Sequence, residues 1–297
     1  MSDIEHAPRD PFPIRLENFL LRHVNQALPS ARWADYLMTL YWFVRMQRRL
    51  PKRDAMLFND VLFRIKTSDD ILNPVRSFTS DKALVKQYVA AKIGDRHNVP
   101  TIAVLRSLAE VRAFDFPRHC VIKPTHLSGT VILRRDGEAL DFDELESWFD
   151  KNYYRSSREA NYRYLAPKVI VEPFVFGDDN PHDYKFFCAG GRASLVQVDA
   201  DRKTRHTRCF YDRYWNKQPF SMTYPMLEGD VPRPANLDLM LDLAGKLSAD
   251  IGFVRVDFYS DGTQALVGEI THVHGNVREF FLPRTGEAEV SRMLFGA

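Results

Sequence analysis

Cysteine is scarce: Cys120, Cys188 and Cys209 are the only three in 297 residues. They are odd in number, scattered and without metal-ligand spacing. That excludes a disulfide-stapled framework and points to a reduced, cytosolic setting. Long apolar runs are missing as well; none approaches the roughly 18 residues of a membrane span. The opening text, Met1-Ser-Asp-Ile-Glu-His6, has neither the basic segment nor the apolar stretch of a secretory signal. Neither sign of charge is in excess. At a net charge of +2 no global field draws nucleic acid, which argues against a nucleic-acid partner. Repeats, low-complexity tracts and a nucleophile triad are also absent from the text. What remains is 45% hydrophobic and 27% charged. That is ample for a large core, as one big domain or two to three subdomains.

The chain is organised around residues 252–271, Gly-Phe-Val-Arg-Val-Asp-Phe-Tyr-Ser-Asp-Gly-Thr-Gln-Ala-Leu-Val-Gly-Glu-Ile-Thr. They read as two strands around a turn that holds Asp261 and Gly262. Arg255 and Asp257 are two apart and share a face. Glu269 interrupts an apolar run, where a carboxylate is costly unless paired or metal-bound. Two such carboxylates on neighbouring strands would suit Mg²⁺, which takes hard oxygen ligands together with phosphate oxygens. Register decides the matter. A two-residue loop would turn Asp257 and Glu269 to opposite faces, so an odd loop of three or five residues is expected. The plainer alternative is one exposed carboxylate and one ion pair with Arg255.

Elsewhere, Thr79-Ser-Asp81 caps a helix from Lys82 to Ile93, ended by Gly94, with Lys82 and Lys86 one turn apart. His119-Cys-Val-Ile-Lys123 is a strand ending in lysine, followed by the loop Pro124-Thr-His-Leu-Ser-Gly-Thr130. A lysine before a small hydroxylated loop suits phosphate, although the loop has one glycine and an ordinary hairpin reads as well. In Lys168-Val-Ile-Val-Glu-Pro-Phe-Val-Phe176 a proline breaks the strand and frees backbone groups for a ligand, or marks an edge. Residues 183–187 and 193–199 form a hairpin over Ala189-Gly-Gly191. Residues 202–217 hold six cations and four aromatics, which suits an anionic sugar, a single-stranded nucleic acid or a solvated loop. Residues 33–53 join an aromatic helix to Arg45, Arg48, Arg49, Lys52 and Arg53. Such a helix suits an anionic membrane surface, or else packing with a solvated basic end.

In this order, the blocks Asp81-Lys82, Val121-Ile-Lys123, Val169-Ile-Val-Glu172, Val254-Arg-Val-Asp257 and Gly268-Glu269 resemble the ATP-grasp superfamily. Within it the text is similar to the TupA-like ATP-grasp amidoligases, the branch named after a teichuronopeptide biosynthesis protein. Asp183-Tyr-Lys-Phe-Phe-Cys188, Val196-Gln-Val-Asp-Ala-Asp-Arg202, Phe210-Tyr-Asp212, Trp215-Asn216 and Phe253-Val-Arg-Val-Asp-Phe-Tyr259 carry that likeness, which covers roughly residues 40–275.

The resemblance implies an α+β ATP-grasp fold: two α+β subdomains gripping ATP between their sheets, behind a helical N-terminal extension. The corresponding divisions are 1–78, 79–175 and 176–297. It also implies roles. Lys82 and Lys123 meet phosphates, and the loop with His126, Ser128, Gly129 and Thr130 covers them. Backbone around Glu172, Phe174 and Val175 holds adenine, Asp183 reaches ribose, and Lys185 lies near the phosphates. Asp257 and Glu269 hold Mg²⁺, with Thr271 as a weaker third ligand, and Arg255 stabilises the transferring phosphoryl.

The implied reaction is ATP-dependent joining of a carboxylate to an amine through an acyl-phosphate. The acid would be a uronic acid of a surface polysaccharide and the amine an amino acid. Arg202, Arg205, His206, Arg208 and Tyr211 are the candidates for holding the anionic sugar, with His272 and His274 shaping the substrate site. A glycosyltransferase of polysaccharide assembly, or a catalytically weak nucleotide- or polysaccharide-binding homologue, are the rivals. Two departures feed the second: Leu127 stands where the branch tends to have glycine, and Thr271 where the superfamily often has asparagine.

Overall fold

Residues 24, 25, 27–177, 182–200 and 206–296 are described in the computed structural model. Helices α1 (Arg32–Gln47) and α2 (Phe58–Thr67) come first. On α1, Met38 and Phe43 are buried, while Trp33, Leu37, Tyr41 and Val44 are exposed. Helix α2 buries most of its circumference, Phe58, Val61, Leu62 and Ile65 included. Among the described residues no helix is long and apolar enough to cross a membrane.

The break at Asn73-Pro74 is a helix start. Proline occupies the first turn of α3 (Pro74–Ser80), where no N–H is needed, and Asn73 accepts a hydrogen bond from the Val75 N–H. Helix α4 (Leu84–Ile93) begins two residues later than the sequence suggests. Asp81 Oδ1 accepts from the N–H groups of Ala83 and Leu84 at 2.8 and 3.0 Å, which fixes its first turn. Gly94, with φ +98°, ends it.

The first sheet contains β1 (Ala103–Leu105), β2 (Cys120–Pro124), β3 (Ile132–Arg134) and β4 (Val169–Glu172), antiparallel in the order β1-β4-β2-β3. Helices α5 (Leu108–Ala113) and α6 (Phe142–Asp150) cover it through Val111, Leu145 and Trp148. The short helix α7 (Tyr153–Ser157) follows.

The second sheet is antiparallel and has five strands. These are β5 (His182–Ala189), β6 (Arg192–Ala200), β7 (Thr207–Asp212), β9 (Phe253–Ser260) and β10 (Ala265–Thr271), in the order β10-β9-β5-β6-β7. Strand β8 (Ser221–Met222) pairs instead with β11 (Phe281–Leu282). Helices α8 (Leu237–Ser248) and α9 (Gly286–Phe295) complete the set.

The two-residue period of a strand sorts the second sheet's faces. Tyr184, Phe186, Val254, Val256 and Phe258 pack in one cluster with α4 and α8. On the opposite face, Phe187 and Phe253 meet Phe58 of α2, and this cluster includes Val290 and Leu294 of α9. The N-terminal helices are therefore a layer of the second sheet. Asp183, Lys185, Arg255 and Asp257 share that opposite face but lie beyond the helical cover, where it borders a cleft.

The turn between β9 and β10 differs from expectation. It has four residues, 261–264, not an odd number. An even loop alone would set Gly268 against Asp257 and turn Glu269 to the helix-covered face. A β-bulge between Val267 and Glu269 adds one residue and pairs Glu269 with Asp257. Gly268 makes this fit: a Cβ there would lie 2.8 Å from Tyr259 Cε2.

Candidate functional site

A cleft of about 420 Å³ separates the two sheets. Lys123 and Glu172 face it from the first sheet, with Phe174 and Val175 just beyond β4. Asp183, Lys185, Arg255, Asp257 and Glu269 line the second-sheet wall, and Lys82, Gly129 and Thr130 complete the rim. These residues are spread over nearly 190 positions of text. The fold brings them to one place because two antiparallel sheets present their charged faces to each other.

The first wall is a lysine cluster organised by one carboxylate. Lys123 Nζ donates to Glu172 Oε2 at 2.8 Å, and Lys86 Nζ lies 2.6 Å from Glu172 Oε1. Burial works against the Glu172 charge, but the two lysines outweigh it and hold its pKa below the ordinary value. Burial likewise opposes the Lys123 charge; Glu172 outweighs it and raises the ammonium's pKa. Lys82 donates to the Leu127 carbonyl, and burial pushes its pKa down. A cation held in low dielectric gains strongly from an arriving anion.

The second wall is an alternating ionic chain. Arg255 grips Asp257 with two bonds of 2.7 Å, and its Nη1 lies 2.6 Å from His274 Nδ1. His274 Nε2 is 2.8 Å from Glu279 Oε2. Glu279 also accepts from Arg208 Nη1 at 2.9 Å, and Arg208 Nε donates to Asp199 Oδ1 at 2.6 Å. Asp199 lies 3.6 Å from Lys185, which pairs with Asp183. Burial pushes Asp257 up to about 6 against the pull of Arg255. Burial also opposes the Arg255 charge, and Asp257 more than offsets it. Glu279 is held at about 2, its burial outweighed by its cationic surroundings, while burial pushes His274 down.

The carboxylates fit Mg²⁺. Asp257 and Glu269 stand opposite each other on adjacent strands, both hard oxygen donors. Two residues beyond Glu269, Thr271 Oγ1 is buried without a hydrogen-bond partner, an orphaned donor atom on the same face.

Other expected site residues lie elsewhere. His126 turns into the first sheet's core, its Nε2 3.0 Å from the Trp148 carbonyl, and burial lowers its pKa. Leu127 is buried in that same core, which accounts for a large apolar residue in the loop. His272 is fixed by Arg76 at 3.1 Å and Thr79 at 2.8 Å, behind the sheet from the cleft. Burial drives its pKa well down. His274 is enclosed between Arg255 and the rings of Phe58 and Phe187.

The middle of the basic-aromatic cluster, Thr207–Asp212, is strand β7. Arg208 is buried in the ionic chain, and Tyr211 stacks on Trp215 at 4.3 Å on the far face. His206 stacks on Tyr224 at 3.7 Å. Arg202 and Arg205 lie outside the described residues.

Several residues in and around the site were given no role by the sequence. Lys86 shares Glu172 with Lys123, and Tyr259 walls the cleft. Beyond Glu269 and Arg255 a second cavity, of about 350 Å³, is lined by Ser128, Tyr153, Glu159, Asn276 and Arg278. Behind Glu159 lies the buried Lys66, which donates to the Ser157 carbonyl at 2.9 Å and to Asn276. Burial shifts this pair in opposite senses, Glu159 up to about 7 and Lys66 down to about 7.

Comparison with known proteins gives the following. The family model described as TupA-like ATPgrasp matches residues 63–293. No curated protein matches. The D-alanine-D-alanine ligase of Helicobacter pylori is similar at 18% identity, covering 67% of this chain and 53% of its own, with TM-score 0.39. The D-cycloserine synthetase DcsG is similar at 16% identity, covering 86% and 80%, with TM-score 0.42. The ATP-grasp ligase PsnB, in complex with a phosphomimetic variant of its minimal precursor, Mg and ADP, is similar at 12% identity, covering 73% and 55%, with TM-score 0.39. The chain spans about half the length of the Helicobacter pylori ligase.

Proposed function

Since the chain belongs to the TupA-like ATP-grasp family, with its α+β grasp of paired sheets, we propose that it is an ATP-dependent carboxylate–amine ligase. One observation carries this reading: a buried lysine cluster and an opposed pair of carboxylates face each other across one cleft. That arrangement suits phosphoryl transfer, which asks for positioning and charge neutralisation more than for covalent help.

In this reading Lys82 and Lys123 bind phosphates, with Gly129 and Thr130 over them. Backbone at 172–175 holds adenine and Asp183 the ribose. Asp257, Glu269 and Thr271 hold Mg²⁺, which when bound neutralises the phosphate charge. Arg255 and Lys185 stabilise the charge that develops on the γ-phosphoryl. The acid's carboxylate oxygen attacks γ-phosphorus, the bond to the bridging oxygen breaks, and ADP leaves. The amine nitrogen then attacks the acyl carbon of the acyl-phosphate. Phosphate departs with the amine's proton, and an amide remains.

For the substrates, we favour a uronic-acid carboxylate of a surface polysaccharide and an amino acid. The exposed Trp33, Leu37, Tyr41 and Val44 of α1 provide a face for an anionic membrane surface. The test is ADP and phosphate release across uronic-acid glycans paired with amino acids. The expected result is release that needs both partners. Absence of ADP release with every acceptor removes the ligase reading, and sugar transfer without ATP replaces it with a glycosyltransferase. Co-sedimentation with phosphatidylserine vesicles tests the membrane face.

A further inference from the structure

The cleft does not stop at its carboxylates. The second cavity takes over at Arg255 and Glu269, which line both spaces. At its far side Ser128, Tyr153 and Arg278 also border a third space, a chamber of about 900 Å³ that reaches Trp42 and Met38 of α1. The three spaces are neighbours in series between the α1 helix and the acidic pair, each sharing lining residues with the next. The chamber's size lies near the top of the range, about 300–1,000 Å³, typical of sites for small organic ligands.

Its chemistry is selective. Lys151, Arg155 and Arg278 line it against a single carboxylate, Asp150. Between them the wall offers hydroxyls and amides, among them Ser128, Thr130, Asn152 and Ser156. Arg278 stands at the junction. Its guanidinium carbon is 4.2 Å from the centroid of the Trp42 ring, and its Nε is buried without a hydrogen-bond partner. A guanidinium held over an indole face is attracted by the ring's quadrupole and can still offer N–H groups to a carboxylate. A buried donor left open costs free energy that a bound acceptor would recover.

Building on the ligase reading, we propose that this chamber seats the acid substrate, an anionic polyhydroxylated body whose carboxylate Arg278 directs inward to Arg255 and Glu269. The N-terminal helix is then part of the substrate site, through Trp42. Arg208 and Tyr211 do not line this chamber; the first is held in the ionic chain and the second stacks on Trp215.

The experiment uses the full chain with a glucuronate-containing disaccharide as probe. Its binding is measured by calorimetry without nucleotide, and its KM by ADP release at saturating MgATP and amine. Arg278→Ala is expected to weaken disaccharide binding and raise its KM at least tenfold, with MgATP affinity within twofold of the parent. Arg278→Lys should recover only part of the loss, because an ammonium lacks the planar fork. Trp42→Ala should shift the same KM in the same direction. If Arg278→Ala fails to fold, Arg155→Ala on the chamber wall carries the test.

Unchanged disaccharide binding in these variants overturns the proposal, as does a change confined to the amine's KM. No binding of the disaccharide by the parent protein overturns it too. Binding without ADP release would sink the ligase reading and leave the chamber's assignment standing. ADP release that the variants leave untouched does the reverse.

Discussion

Glu269 stands directly across the sheet from Asp257 because the chain takes in one extra residue at Gly268. The bulge decides which face carries the second carboxylate, and the ring of Tyr259 against Gly268 leaves no room for a side chain there. Gly268→Ala is expected to cost about 1–3 kcal/mol through overpacking. It should weaken Mg²⁺-dependent nucleotide binding as Tyr259 is pushed into the cleft. Deletion of Gly268 should spare that binding, because the four-residue turn then sets Glu269 opposite Asp257 without a bulge. Nucleotide titration by calorimetry checks both.

Asp257 and Glu269 are expected to separate in their effects on stability. Asp257 is bonded twice to Arg255, so Asp257→Asn leaves a buried guanidinium short of its counter-charge, at a cost of about 3–5 kcal/mol. Glu269→Gln should leave the melting temperature within a few degrees. Each should lower ADP release by about 100-fold or more, the scale of losing one preorganised electrostatic group. Full turnover in both variants would refute the metal assignment.

Glu172 binds Lys123 and Lys86 together at 2.8 and 2.6 Å. Glu172→Gln should therefore destabilise by about 3–5 kcal/mol, since two buried cations lose one partner. Saturating ATP should restore much of the lost stability in a thermal melt, because phosphate oxygens would take the carboxylate's place.

The Lys66–Glu159 pair predicts a dip in stability near neutrality. Glu159 is raised from 4.5 to about 7, so its favourable contribution is present below 4.5 and is lost as pH rises through about 7. Lys66 is lowered from 10.5 to about 7, so its contribution is present above 10.5 and is lost as pH falls through about 7. Denaturant midpoints of the parent and of Lys66→Met/Glu159→Gln should differ most near pH 7, where both contributions are lost, and less toward either extreme, where one of the two is kept. A constant offset across pH would refute the assignment.

Much of the site was legible where chemistry is local. Arg255 and Asp257 share a face by the strand period, and Asp81 caps a helix because its carboxylate reaches N–H groups two and three residues ahead. Glu269's face was not legible, since it depends on a bulge selected by a ring on the neighbouring strand. Arg208 looked like a solvated cation because its anionic partners lie 9 and 71 residues away. His272 looked like a substrate group for the same reason: Arg76 and Thr79 are nearly 200 residues upstream. Trp42 and Arg278 are ordinary letters in the text. Only the layering of α1 against the segment after β10 makes them a pair.

Phe58 holds its place through rings at 187, 253 and 281, and its N–H donates to the Ser291 hydroxyl of α9, 233 residues on. The sheet face beside the acidic pair is thus closed by α2, made early in translation, and by α9, made late. Contacts this distant in sequence form slowly. Until residues 286–295 emerge from the ribosome, the aromatic half of that face lacks part of its cover. A growing chain must therefore keep α2 waiting for part of its packing until α9 has been made.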